Sequence, residues 1–220
     1  MIVAAMSIMA LIANAYPWLS PYVYCMNNPL KFVDPDGKVV KIWYGTEGNV
    51  KCFTFSGFHG KKSLKIPNDQ FVKDVIRVYL YNLKNGGGKE FLRAVHRKET
   101  IYIDDSREFS NGSDYFRVEG TQPTVHWNPE LGNITTGGGR QSPATALEHE
   151  MDHANDFISN PTSHYARKAT SDKKYDDKEE RRVVTGSERQ TAVANGEAIR
   201  YDHKGKDYYT EGPTSTKPKE

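Results

Sequence analysis

His149-Glu150-Met151-Asp152-His153 is the stretch of this chain whose residue types and spacing specify a reaction. Two imidazoles four positions apart share one face of an α-helix, with Cβ atoms about 5–6 Å apart. From there both can reach one divalent cation at about 2.0–2.1 Å. The Glu beside the first His then points toward the water such an ion would hold and can take its proton, the arrangement of a metal-dependent peptidase. His149 and His153 are therefore expected to bind Zn2+, with Glu150 as general base. A zinc ion that keeps one position open for water needs a third protein ligand. Cys25 and Cys52 lie far upstream, which leaves a carboxylate from Glu179, Glu180 or Glu188. At least two of these three are expected to be solvated or paired with Arg181, Arg182 and Arg189.

That chemistry requires a helix, and the flanking residues predict one. Ser142 before Pro143 is a good start, because Ser can cap orphan N–H groups and Pro loses nothing at the first helical position. At about 100° per residue, Leu147, Met151, Ala154 and Ile158 form one apolar stripe. His149, His153 and Glu150 fall on a second face together with Ala146 and Phe157. Glu148, Asp152 and Asn155 occupy the remaining arc and are expected to be wet. The pattern is that of a helix lying between a core and a cleft.

The rest of the chain supplies what such a helix packs on. Residues 38–58 alternate apolar and polar around a Gly45–Gly48 turn and read as a hairpin. Residues 68–84 have helical spacing after Asn68 as N-cap, and Gly86-Gly87-Gly88 stops them. Phe91, Leu92 and Val95 suggest a second short helix. Residues 101–103, 115–118 and 124–127 read as strands. Glu179 and Glu180 open a helical stretch that continues through Val183 and Val184 and ends at Gly186. Gly137-Gly138-Gly139 is a loop; no Lys-Ser/Thr follows it at phosphate-binding spacing. The fold class is α+β, a small mixed domain over residues 38–205 with the active-site helix against a short sheet. Residues 206–220 lose periodicity and are expected to fray.

Composition excludes several alternatives. Thirty Lys+Arg against 28 Asp+Glu leave a net +2, which argues against a nucleic-acid partner, since that affinity rests on clustered excess cations. Two cysteines exclude a disulfide scaffold and a Cys-rich zinc module. Residues 1–15 are apolar but short of the roughly 20 needed for a membrane span, so no stable span is expected. They end in Ala13-Asn14-Ala15, a small-x-small pattern, yet carry no basic start; a weak signal or a piece of a longer parent chain fits them. Among the other histidines, His126 reads as a half-buried strand residue and His203 as a surface residue that could stabilise an oxyanion. His59, His96 and His164 carry no spacing signal.

Two stretches carry resemblances. Residues 16–37, containing YVYCMNNPLKFVDPDG, resemble the end of the core domain of RHS/YD-repeat proteins, where a shell closes and a variable C-terminal cassette begins. This implies a secreted or delivered toxin or effector of bacterial origin, cut from its RHS shell, with a cognate immunity protein as a further partner. Residues 100–210, from Val125-His126-Trp127-Asn128-Pro129 through His149–Ala154 to Glu179-Glu180-Arg181-Arg182-Val183-Val184-Thr185-Gly186 and the later Gly196-Glu197-Ala198-Ile199-Arg200, resemble effector-type zinc metallopeptidase cassettes of polymorphic toxins. That resemblance implies a zincin-like fold, a protein substrate, and Glu180 (or Glu179) as third ligand. Asp152 departs from the apolar residue common there. The rival readings are an RHS-cassette nuclease and a non-catalytic secreted binding module with a structural metal.

Overall fold

The computed structural model describes residues 39–46, 48–58 and 65–220; residues 1–37 and His59, on which several expectations rest, lie outside the described residues. Strand β1 (Val40–Tyr44) turns Val40 and Ile42 inward and pairs antiparallel with β2 (Lys51–Phe55), setting Val40 opposite Phe55 and Ile42 opposite Phe53, so the hairpin is present. On its other side β1 runs parallel to β3 (Ile101–Asp105), and β3 parallel to β5 (Gln122–Trp127). β4 (Tyr115–Glu119) returns antiparallel to β5 and forms the outer strand of a mixed sheet ordered β2-β1-β3-β5-β4.

Parallel neighbours need a long crossover, and α1 (Gln70–Asn85) with α2 (Lys89–Ala94) provides it. The cap of α1 is Asp69 rather than the expected Asn68. Asp69 is extended and its carboxylate accepts from Val72 N–H at 3.1 Å, while Asn68 accepts from Lys73 Nζ. Gly86, at φ +91°, ends the helix in the left-handed region that glycine adopts without strain. The short α3 (Ser106–Phe109) follows β3.

α4 (Pro143–Ser159) crosses the sheet, burying Leu147, Met151 and Ala154 in one core with Val125, Trp127, Ile103 and Phe91. Trp127 Nε1 donates to Pro143 O at 3.0 Å and Asn82 Nδ2 to Ala144 O at 2.9 Å, so two buried polar groups tie its first turn down. Ser142 does not cap the helix with its side chain. Its N–H and hydroxyl both donate to the Glu197 carboxylate, as does the Thr145 hydroxyl, so a residue 55 positions away does that work.

β6 (Leu131–Thr135), β7 (Arg140–Gln141) and β10 (Gly205–Tyr209) make a second, antiparallel sheet in the order β10-β6-β7. The expectation of a frayed end is thereby corrected. Gly205–Tyr209 pairs with β6 along its length, and Thr210 bridges to Pro218. Its hydrogen bonds come from a strand some 70 residues earlier, so local pattern could not report it. α5 (Pro161–Lys168) and the hairpin β8 (Ser171–Asp172)/β9 (Asp176–Asp177) lead into α6 (Lys178–Val183), capped by the Asp177 carboxylate accepting from the N–H of Glu179 and Glu180. Gly186 does not stop this helix. A π turn, Val184–Glu188, carries the chain on into α7 (Arg189–Asn195), and Gly196 at φ +71° ends it. The domain is α+β with a small mixed sheet, and no helix among the described residues is long and apolar enough to cross a membrane.

Candidate metal centre

His149 and His153 stand one turn apart on α4 and are 4% exposed each. Their Nε2 atoms are 3.1 Å apart. Glu180, on α6, brings Oε2 to 3.1 Å from His149 Nε2 and 3.2 Å from His153 Nε2. Its other oxygen accepts from Lys168 Nζ at 2.7 Å, which leaves a single oxygen facing the imidazoles. Glu150 Oε1 is 3.8 Å from His149 Nε2.

The other two glutamates reach the far sides of the same rings. Glu188 Oε2 lies 2.8 Å from His149 Nδ1, and Glu179 Oε1 lies 3.2 Å from His153 Nδ1. Glu188 also accepts from the Arg200 guanidinium and from Gln141 Nε2 at 3.0 Å. Glu179 accepts from Arg167 Nε and Arg182 Nη2, each at 2.6 Å. All three carboxylates are buried and only Glu179 pairs with one of the three expected arginines, Arg182, so the expectation that at least two would be solvated or so paired is met by Glu179 alone. Arg181 pairs with Asp172, and Arg189 lies over the Tyr201 ring.

The wet strip expected on α4 is also absent. Glu148 accepts the backbone N–H groups of Glu90 and Phe91 at the start of α2, Asp152 accepts from Arg182 Nη1 at 2.8 Å and from the Ser187 hydroxyl, and Asn155 Nδ2 donates to Glu90. The wheel located the arc, but α2 and the π turn cover it. Asp152, the departure from the resembling cassettes, thus holds the π turn against α4.

The face carrying His149 and Glu150 opens into a cleft with two lobes. One is polar, lined by Asn133, Gln141, Arg200 and Asp207; the other is largely aromatic, lined by Phe116, Phe157 and Tyr165 near β4. Asp114, His149, Glu150 and His203 border both lobes. His203 sits at the mouth, its Nδ1 2.7 Å from Asp176 Oδ2 and its Nε2 3.4 Å from Glu180 Oε2. Asp176 holds φ at +69°, a strained conformation for a non-glycine residue. His126 lies outside this cleft and is fully buried rather than half-buried. It stacks on Tyr115, with Nδ1 2.7 Å from Asp104 Oδ1. His164, which had no spacing signal, is buried with Nδ1 3.3 Å from Glu179 Oε1. Asp114, Arg200, Arg167 and Lys168 are members that sequence reasoning missed. Asp114, Arg167 and Lys168 come from segments with no motif of their own, and Arg200 closes a stretch, Gly196–Arg200, to which no role was assigned.

Burial alone would lower the His149 imidazole, yet the carboxylates of Glu150, Glu180 and Glu188 outweigh it and raise it to about 10. His153 is raised in the same way by Glu179 and Glu180 against its own burial. Burial pushes Glu179, Glu180 and Glu188 up, but the imidazole and arginine partners win and hold all three well below the ordinary carboxylate range. Asp114 moves the other way. Burial drives it well above its usual value, helped by the nearby Glu150 charge, although it accepts the Asn128 N–H at 2.6 Å.

This donor set fits a metal ion. With a carboxylate beside each Nδ1, a ring that gives up its second proton to an incoming ion and keeps the one on Nδ1 would turn its Nε2 lone pair toward Glu180 Oε2. His149 Nε2, His153 Nε2 and Glu180 Oε2, 3.1–3.2 Å apart, form a triangle that a cation could bridge. The spacing approaches the roughly 3.3–3.4 Å edge of a tetrahedron with bonds of about 2.0–2.1 Å. His149–Glu150–His153 and His149–Glu180–His203 are groups able to hold an ion. The third such group, His153–His164–Glu179, carries Arg167 and Arg182 against its carboxylate, and their permanent charges oppose a cation there.

Fold and site together define an α+β domain with a buried His–Glu cluster at a cleft. The chain belongs to the M91 peptidase family, whose model, described as an effector protein, matches residues 80–219. No curated protein and no solved structure matches the chain.

Proposed function

We propose that this protein is a zinc-dependent peptidase effector that hydrolyses peptide bonds of a target protein. The observation carrying this reading is the triangle of His149 Nε2, His153 Nε2 and Glu180 Oε2 with Glu150 beside it at the cleft floor. These three side chains would hold the ion, which when bound would acidify a water molecule and polarise the scissile carbonyl. Glu150 takes the proton of the attacking water and returns it to the leaving amine. β4, the outer strand of the mixed sheet, borders the aromatic lobe and offers backbone groups to an extended substrate. His203, held by Asp176 at the cleft mouth, is placed to donate to the developing oxyanion.

Family membership and the near-neutral charge favour this reading over a nuclease. Residues 16–37 are read as the RHS-type junction, which makes delivery to a target cell, an RHS shell and an immunity protein part of the same proposal. The test incubates the purified protein with casein, DNA and RNA, beside Glu150→Ala. Glu150→Ala should retain one zinc per chain and lose about 10²–10⁴-fold in casein turnover. Hydrolysis undiminished in Glu150→Ala, or activity on nucleic acid alone, would overturn the reading.

A further inference from the structure

We infer that Glu188 and Glu179 are positioning residues, each holding the Nδ1 side of one imidazole, and that the π turn Val184–Glu188 serves to aim the first of them. The inference rests on the proposed metal centre and extends it to side chains that would touch neither ion nor substrate.

An imidazole presents a usable lone pair at Nε2 only when its proton sits on Nδ1, and a carboxylate accepting that proton fixes both tautomer and ring angle. Both rings have such an acceptor, Glu188 for His149 and Glu179 for His153. Each acceptor is in turn anchored. Arg200 and Gln141 grip Glu188, and Arg167 and Arg182 grip Glu179. Groups held this way cannot swing inward to become ligands. Glu180 is different, because Lys168 engages one oxygen only and the second faces both Nε2 atoms. Three glutamates equivalent by composition are thus sorted by their cationic partners.

The π turn explains how Glu188 arrives. In an uninterrupted α-helix, eight residues at about 100° each would put Glu188 about 80° from the direction of Glu180. A π turn closes from i to i+5 and takes in one extra residue. Discounting that residue leaves about 700° of rotation, which returns Glu188 to within about 20° of Glu180. Asp152 of α4 fastens the turn through Ser187 and Arg182.

The experiment uses the whole chain, with zinc affinity measured by competition against a chromophoric chelator and the visible spectrum recorded with Co2+ in place of zinc. Glu188→Ala should keep one site per chain but weaken zinc about 10–100-fold. Glu188→Gln and Glu179→Gln should fall between this and the parent, since an amide oxygen still accepts the Nδ1 proton. Their Co2+ bands should shift without losing the intensity of four-coordination. Glu180→Gln, the control, should change the band intensity itself. If Glu188→Gln or Glu179→Gln matched Glu180→Gln in both readouts, that residue would be a ligand and the inference wrong. Parent-like affinity and spectrum in Glu188→Gln would overturn it equally, and this near-isosteric variant decides the matter should Glu188→Ala leave Arg200 unpaired and fail to fold. A parent chain that takes up no zinc would instead sink the metal centre. Zinc uptake without proteolysis would sink only the peptidase reading.

Discussion

Leu147, Met151 and Ala154 on one side of α4 sit in the apolar core, whereas His149 and His153 on the other are ringed by Glu179, Glu180 and Glu188. Both sides are buried. The first is held by contacts that have no preferred direction and scale with area, so neighbours share the load. The second is held by directional hydrogen bonds and ion pairs between specific nitrogen and oxygen atoms, so similar volume alone does not replace a member. One helix therefore takes its stability from one side and its chemistry from the other.

The sharpest way to break this comparison is to cut each side once. Leu147→Ala should cost about 2–5 kcal/mol of unfolding free energy by urea denaturation, because the removed methyl groups leave a cavity in packed surroundings. It should still take up one zinc per chain. His153→Ala should lose stoichiometric zinc while its apoprotein retains a cooperative melt. Loss of zinc in Leu147→Ala, with the fold intact by circular dichroism, would mean the two sides are not separable.

A smaller effect tests the back of the same helix. Burial raises Glu148 to about 8 despite two backbone N–H donors, with the Glu90 charge adding to the shift. A carboxyl whose folded pKa exceeds its unfolded value binds more protons when folded. Its stabilising contribution is therefore present below about 4.5 and is lost as pH rises toward about 8. Glu148→Gln should flatten the decline in unfolding free energy between pH 5 and 8, and an unchanged slope would contradict the assignment. The smallest expected effect lies far from the cluster. Gly86→Ala places a Cβ in open space but at φ +91°, which should cost about 1–2 kcal/mol in thermal melts and leave zinc affinity unaltered.

Much of the fold was legible where the signal is local. The β1–β2 hairpin, α1, α2, the three strands β3 to β5 and α4 all follow from periodicity, caps and glycine stops. β10 was not legible, because GKDYY has no strand pattern and pairs only through β6. Nor was the continuation past Gly186, since the π turn is held by Asp152 from another helix. The arc of Glu148, Asp152 and Asn155 looked wet because each residue is polar. It is buried because α2 N–H groups, Arg182 and Glu90 supply partners that no wheel can see.

By itself the sequence determined that two imidazoles and a carboxylate share one helical face, since the helical period depends only on neighbouring residues. Which of three nearby glutamates turns toward both Nε2 atoms was decided by the tertiary structure alone. That choice depends on where Arg167, Arg182, Arg200 and Lys168 come to rest, and on one extra residue in a turn. Except for Arg182, which sits three residues from Glu179, these cations pair across 12 residues of folded chain, a separation that leaves no periodic trace in the letters.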